Sequence, residues 1–180
     1  MAKTGSMPDG SVVSATDTDS DVQTSIVLPA YNESENLEPL IDEIQSTFRD
    51  NTTYGPYEIV IVDDGSTDGT AETIRQIATD RDEVTGVLLR RNFGQSAALA
   101  AGIDYATGEY IVTMDADRQN NPADIPKLLT KLEEGYDCVS GWRRDRDDPL
   151  SKTIPSAIQT RLAKLTGPDI HDFGCTLTAY

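Results

Sequence analysis

Apolar residues along this chain follow two rhythms. Short continuous runs occur at Ser25-Ile26-Val27-Leu28, Ile59-Val60-Ile61-Val62, Val87-Leu88-Leu89, Tyr110-Ile111-Val112-Thr113 and Cys138-Val139. Runs of this length, rich in β-branched residues, suit strands covered on both faces. Between them the spacing changes to 3.6. Leu37, Leu40, Ile41, Ile44 and Phe48 predict a first helix, with Asn32 or Ser34 as its N-cap. Ile74, Ile77 and Ala78 mark a second, and Ala97, Ala98, Ala101, Ile103 and Tyr105 a third that ends near Gly108. The fourth has Pro122 near its first turn, then Ile125, Leu128, Leu129 and Leu132, with Gly135 as the stop. Strictly alternating β and α elements predict an α/β fold, with a mostly parallel sheet and right-handed crossovers. Residues 1–22 hold Ser, Thr, Asp and Gly with almost no large apolar groups, and are expected to be a disordered acidic lead-in. The folded domain is expected over 23–180.

The polar residues are not scattered. Four unusual stretches each follow a predicted strand: PAYNES (29–34), DDGSTDGT (63–70), RRNFGQS (90–96) and DADRQN (115–120). Open α/β sheets bind ligands outside the carboxyl ends of their strands, so all four loops point at one rim. Each could be a simple turn or cap, since Asn, Asp, Gly and Ser make both. Asp68 is read in that way, as a helix cap. Carboxylates in three of the four loops turn the balance toward a site.

Charge narrows the partners. The formal net charge is −16, from 31 acidic and 15 basic residues, and the acidity runs through the folded part. Self-repulsion of this size is tolerable where salt shortens screening to about 3 Å at 1 M. The composition therefore suggests a salt-adapted, haloarchaeal type of protein in the cytoplasm. No basic stripe exists to neutralise phosphates, which disfavours nucleic acid. Cys138 and Cys175 lack metal-ligand spacing and read as buried free thiols. No run approaches the roughly 18 apolar residues of a membrane span, and no signal peptide is visible.

The chemistry concentrates at Asp115-Ala116-Asp117. In extended backbone, residues two apart share a face, so both carboxylates can converge, with Gln119 adding a neutral oxygen. Adjacent carboxylates repel unless a cation lies between them. Oxygen ligands suit Mg2+ or Mn2+, which usually bind one or two carboxylates plus substrate phosphates. The same alternation turns Arg118 away, toward a nearby surface acid. Asp63 and Asp64 end another strand, where a carboxylate can accept from a base or ribose. Arg90, Arg91 and Asn92 are candidates to face a diphosphate.

Taken together, IVLPAYNESENL, EIVIVDDGSTDGT, the long block from RRNFGQS through DADRQNNPADIPKLL, and EEGYDCVSGWRRDR resemble glycosyltransferase family 2, in order. Within it, RNFGQSAAL and DFGCTLTAY look like the polyprenyl- and dolichyl-phosphate sugar (glucose or mannose) synthases. The resemblance spans about residues 24–180 and implies a GT-A fold, a Rossmann-like, mixed and mostly parallel sheet flanked by helices. It implies nucleotide contacts at Pro29, Tyr31 and Glu33, base contacts at Val62 and Asp64, and a diphosphate and metal motif at Asp115, Ala116 and Asp117. Asp117 and Gln119 would hold the metal. Arg143 would lie near the diphosphate or acceptor phosphate, with Arg144 as fallback. Arg118 departs from the family, which usually has leucine there. Relatives continue beyond the FGCTL block with membrane-facing parts, so this sequence is expected to be a truncated catalytic core.

The implied reaction moves a hexose, with inversion, from UDP-glucose or GDP-mannose to dolichyl or polyprenyl phosphate at the cytoplasmic face of the membrane, feeding glycan assembly or protein N-glycosylation. A phosphate monoester has its second pKa near about 6 and attacks as an anion, so no general base is assigned. His171 reads as structural. One rival is transfer to a sugar hydroxyl, for which Asp172 is a candidate base. Another is a non-catalytic nucleotide-sugar binding module. A dinucleotide dehydrogenase is disfavoured, because no G-x-G-x-x-G follows the first strand.

Overall fold

The apolar runs pair into one sheet. The structure is a computed structural model in which residues 11–14, 22–141 and 176–180 are described. Its strands are β1 (Ser11–Ser14), β2 (Thr24–Ala30), β3 (Tyr57–Asp63), β4 (Val84–Leu88), β5 (Tyr110–Thr113), β6 (Val139–Ser140) and β7 (Thr178–Ala179). Its helices are α1 (Ser34–Asp50), α2 (Thr70–Asp80), α3 (Gln95–Tyr105) and α4 (Ile125–Leu132). The sheet order is β1-β4-β3-β2-β5-β7-β6. Strands β4, β3, β2 and β5 are mutually parallel, and β1, β7 and β6 join antiparallel. This is the mixed, mostly parallel α/β sheet that the two rhythms predict.

Alternation along each central strand divides the core in two. On β3, Ile59 and Ile61 face the side covered by the apolar stripes of α1, α2 and α4, while Val60 and Val62 join Val87, Leu89 and Ala98 under α3. Burying each such side chain contributes about 1.5–3 kcal/mol. Helix α3 has no large apolar stripe and packs closely instead. A Cβ on Gly102 would lie 2.4 Å from Val27 Cγ1 and 3.0 Å from Val62 Cγ2. Ile103, expected in the core, is therefore left 40% exposed, because the small residues form the buried face.

Several expectations are corrected at the edges. Residues 11–14, inside the segment read as disordered, form β1 against the free edge of β4. The run has only Val12 and Val13 as apolar residues, too few for a pattern. Strand β7 is shorter still, with two residues, and slips between β5 and β6. Cys138 lies outside β6 and is exposed, not buried. Neither Asn32 nor Ser34 caps α1; Glu33 occupies the cap position, without a side-chain bond to its own helix backbone. The caps come from a different loop, described below.

The topology fixes where a ligand can bind. From β2 the chain steps through α1 and α2 to β3 and then β4 on one side. Helix α3 then carries it back to β5 on the other side of β2. A switch of direction between β2 and β5 splays the loops at their carboxyl ends and leaves a crevice there.

Candidate active site

A cleft of about 310 Å³ opens at this switch point. Pro29, Ala30, Tyr31 and Glu33 form one wall, at the end of β2. Asp115, Ala116 and Asp117, just after β5, form the opposite wall. Asp64 at the end of β3 and Asn92, Gly94, Gln95 and Ala98 at the start of α3 close the back. Seven of the predicted site residues thus meet in one place: Pro29, Tyr31, Glu33, Asp64, Asp115, Ala116 and Asp117.

Of the other three, the two that are described do not line it. Val62 is fully buried beneath α3, because β3 turns that side chain into the core. Gln119 contributes its backbone N–H, which donates to Asp117 Oδ1 at 3.0 Å. Arg143 lies outside the described residues, as do Arg144, His171, Asp172 and Cys175.

The convergence of Asp115 and Asp117 has a different cause from the one expected. Strand β5 stops at Thr113, so the motif is not extended strand. It is a turn, with Ala116 buried and Arg118 at φ 60 in the left-handed region. Arg118 does point away from the cleft wall, and its guanidinium meets Glu43 of α1 at 2.6 Å. The expected surface acid is therefore Glu43.

Loops after β2 and β3 are zipped together. Asn32 N donates to Ser66 Oγ at 2.9 Å, and Thr67 N donates back to Asn32 Oδ1 at 2.8 Å. Glu33 N donates to Thr70 Oγ1 at 2.9 Å and Ser34 N to Asp68 Oδ2 at 3.3 Å. Asp68 also accepts from the N–H of Thr70 and from its hydroxyl, so it serves the first turns of both α1 and α2. The Thr70 hydroxyl bond, with help from the backbone of Thr70 and from Ser34, lowers the Asp68 carboxyl to about 2.

The loop after β4 is held from β3. Asp64 is 3% exposed, and its two oxygens accept from Phe93 N at 2.8 Å and Gly94 N at 2.9 Å. Gly65, at φ 68, lets the same loop pass overhead: a Cβ there would sit 2.2 Å from the Arg91 carbonyl carbon. Of the three candidates on this loop, only Asn92 reaches the cleft. Arg91 lies over the Phe93 ring at 4.8 Å, and Arg90 lines a separate cleft with Asp63 and Arg75. Gln95 is the cleft residue that the sequence reading missed. Its signal is its place in the RRNFGQS stretch, directly after Gly94, where it carries no assigned role.

Among the described residues, no group of three or more His, Cys, Asp or Glu side chains is arranged to hold a metal. Two carboxylates on one wall, Asp115 and Asp117, nevertheless fit an ion that takes its other ligands from phosphate oxygens and water. Four acids line the cleft, and none of the described lining residues is basic. No helix of the described residues is long and apolar enough to cross a membrane.

Known proteins resemble this chain in both sequence and structure. Undecaprenyl-phosphate 4-deoxy-4-formamido-L-arabinose transferase from Yersinia enterocolitica is 42% identical over 160 residues, covering 88% of this chain and 48% of the relative. The transferase of the same name from Shewanella sediminis is 42% identical over 158 residues, or 87% and 47% of the two chains. The chain thus spans about half the length of the curated relatives it matches. Mannosyltransferase PcManGT from Pyrobaculum calidifontis, solved in complex with GDP-Man and Mn2+, superposes with a TM-score of 0.65 at 27% identity, over 93% of this chain and 46% of that one. Glucosyl-3-phosphoglycerate synthase from Mycobacterium tuberculosis, in complex with UDP, gives 0.64 at 25% identity, over 88% and 56%. The sheet and its flanking helices are the GT-A fold of such glycosyltransferases. The model of glycosyl transferase family 2 matches residues 25–180, and the chain belongs to that family.

Proposed function

We propose that this protein transfers a sugar from a nucleoside-diphosphate donor to a polyprenyl or dolichyl phosphate at the cytoplasmic face of a membrane. The observation that carries this reading is the meeting of the Pro29–Glu33 loop and Asp64 with Asp115 and Asp117 around one cleft at the switch point. Relatives named as undecaprenyl-phosphate sugar transferases support the lipid-phosphate acceptor. A solved neighbour bound to GDP-Man and Mn2+ supports the donor class and the ion. UDP-glucose and GDP-mannose are the first donors to test. The acidic composition supports a salt-adapted, haloarchaeal setting.

In this mechanism the cleft binds the donor with its nucleoside against Pro29, Tyr31, Glu33 and Asp64 and its diphosphate toward Asp115 and Asp117. The two aspartates, with Gln119 beside them, would hold Mg2+ or Mn2+, whose charge would be set against that of the departing diphosphate. Arg143, from outside the described residues, would act on the same charge. The acceptor phosphate attacks the anomeric carbon from the opposite face with inversion. It is already an anion at neutral pH, its second pKa being about 6, so no side chain needs to take its proton.

The test supplies labelled UDP-glucose or GDP-mannose with polyprenyl phosphate in vesicles, and Mn2+ or Mg2+. An acid-labile labelled lipid is expected, and Asp117→Asn should lower its formation at least about a hundredfold, the scale of losing one electrostatic catalyst. Label on a sugar hydroxyl instead of lipid phosphate, or full transfer by Asp117→Asn, overturns the reading.

A further inference from the structure

Gln95 bridges two loops that approach from opposite sides of the switch point. Its Nε2 donates to Asp115 Oδ1 at 2.6 Å, and both residues line the cleft. A hydrogen bond to a carboxylate is among the stronger kinds, and here it fixes the rotation of the side chain that faces the donor.

The backbone that carries Gln95, whose side chain is exposed, is anchored from the sheet. The two residues before it are tied through their backbone N–H groups to Asp64, a buried carboxylate at the end of β3. The loop leading to them rests directly on Gly65. Gln95 then begins α3, whose small face is seated on Val27 and Val62 of the sheet. A continuous path therefore runs from β3 through Asp64, Phe93–Gly94 and Gln95 to Asp115. The far end of that path is a turn with Arg118 in the left-handed region, outside any strand. A turn of that kind gains its geometry from neighbours; Arg118 is held by Glu43, and Gln95 reaches Asp115 from the back of the cleft.

We infer that Gln95 is a positioning residue, which holds Asp115 in the orientation that binds the donor diphosphate. This rests on the donor-site reading above. Its loss weakens the hold on the donor diphosphate and so raises donor KM.

Calorimetric titration of UDP and GDP, each with Mn2+, tests it alongside steady-state transfer. Gln95→Ala should weaken nucleotide binding and raise donor KM about tenfold, since a hydrogen bond to a charged group is worth about that ratio or more. Gln95→Glu turns two acceptors on each other and should weaken binding further. Gln95→Glu with Asp115→Asn restores a donor–acceptor pair with the charge exchanged. The double variant should bind at least about tenfold more tightly than the sum of its single changes predicts. Wild-type binding by Gln95→Ala, or strict additivity in the cycle, overturns the positioning role. Wild-type protein that binds neither nucleotide overturns the donor-site reading and this inference with it. The cycle also covers the case in which Gln95→Ala unfolds, because both of its members keep side chains of near-equal size.

Discussion

Gly65→Ala and Gly94→Ala together isolate how the end of β3 supports the cleft. Both glycines have positive φ, 68 and 96, which costs a residue with a Cβ about 1–3 kcal/mol. Reduced freedom of the unfolded chain adds a cost of its own to neither variant; it returns about 0.4–1 kcal/mol to each. Their surroundings differ completely. A Cβ on Gly94 meets nothing within 4 Å, whereas one on Gly65 meets Arg91 C at 2.2 Å and Arg91 Cα and Asn92 N at 2.5 Å. Carbon atoms settle near about 3.5 Å, so the Arg91–Asn92 backbone must withdraw by more than about 1 Å. The Asp64 bonds to Phe93 N and Gly94 N, at 2.8 and 2.9 Å, cannot follow that shift with Asp64 anchored in the core. Losing one such charge-assisted bond costs about 1.5–3 kcal/mol. Gly65→Ala should therefore lose about 3–4 kcal/mol, and Gly94→Ala only about 1. Urea unfolding followed by circular dichroism measures both, and nucleotide titration should show the greater loss for Gly65→Ala. Equal destabilisation of the two variants would refute the steric reasoning.

Three further outcomes follow from the packing and the charges. Gly102→Ala gains about 1 kcal/mol of helix propensity but drives a Cβ to 2.4 Å from the β-branched Val27, so a net loss of about 1–2 kcal/mol is expected in the same unfolding assay. Asp68→Ala removes acceptors from the first turns of α1 and α2 and should cost about 1–2 kcal/mol. Because the folded carboxyl is lowered to about 2, its contribution is present above the ordinary carboxylate range and is lost as pH falls from about 4 toward 2; the variant's stability curve should converge with wild type there. Arg118→Leu breaks an ion pair whose side chains are 41% and 43% exposed, so it should cost about 0.2–1 kcal/mol at low salt and nothing measurable at 1 M. Arg118→Gly also relieves the left-handed backbone and should be the more stable of the two in thermal melts.

The part of this molecule legible in its sequence is the part set by local pattern. Ile59-Val60-Ile61-Val62 announces a doubly covered strand because every residue in it is buried, and the loop that follows must then fall at the sheet's carboxyl edge. That alone gathers Pro29, Glu33, Asp64, Asp115 and Asp117 without knowledge of any contact. What stayed hidden depends on distant partners. Asn32 looks like a cap for its own helix, but its side chain serves Thr67, and the cap of α1 comes from Asp68 on another loop. Gln95 sits inside the RNFGQSAAL block, but its meaning lies in Asp115, 20 residues on. The alternation drawn through Asp115, Asp117 and Gln119 failed because β5 ends at Thr113, and a left-handed residue at Arg118 replaces the pleat.

The same cleft poses an electrostatic problem whose solution bears on function. Glu33, Asp64, Asp115 and Asp117 line it, within a chain of net charge −16, and none of the described lining residues is a cation. Like charges about 4 Å apart near a protein surface repel by about 4 kcal/mol each. A donor diphosphate brought against Asp115 and Asp117 meets two such terms, far more than the single Gln95 amide can offset. Salt weakens the repulsion for exposed groups, yet it does not convert it into attraction. Binding of an anionic donor in this position therefore requires cationic charge between the carboxylates and the phosphates, from a divalent ion, from basic residues outside the described ones such as Arg143 or Arg144, or from both. The two sources separate experimentally. If the ion dominates, chelation should weaken nucleotide diphosphate binding by at least about a hundredfold while leaving the nucleoside's own weak binding unchanged. If Arg143 dominates, Arg143→Ala should produce that loss with Mn2+ still in excess. Diphosphate affinity unchanged by chelation applied to the Arg143→Ala, Arg144→Ala double variant would mean that the donor does not lie against Asp115 and Asp117 at all.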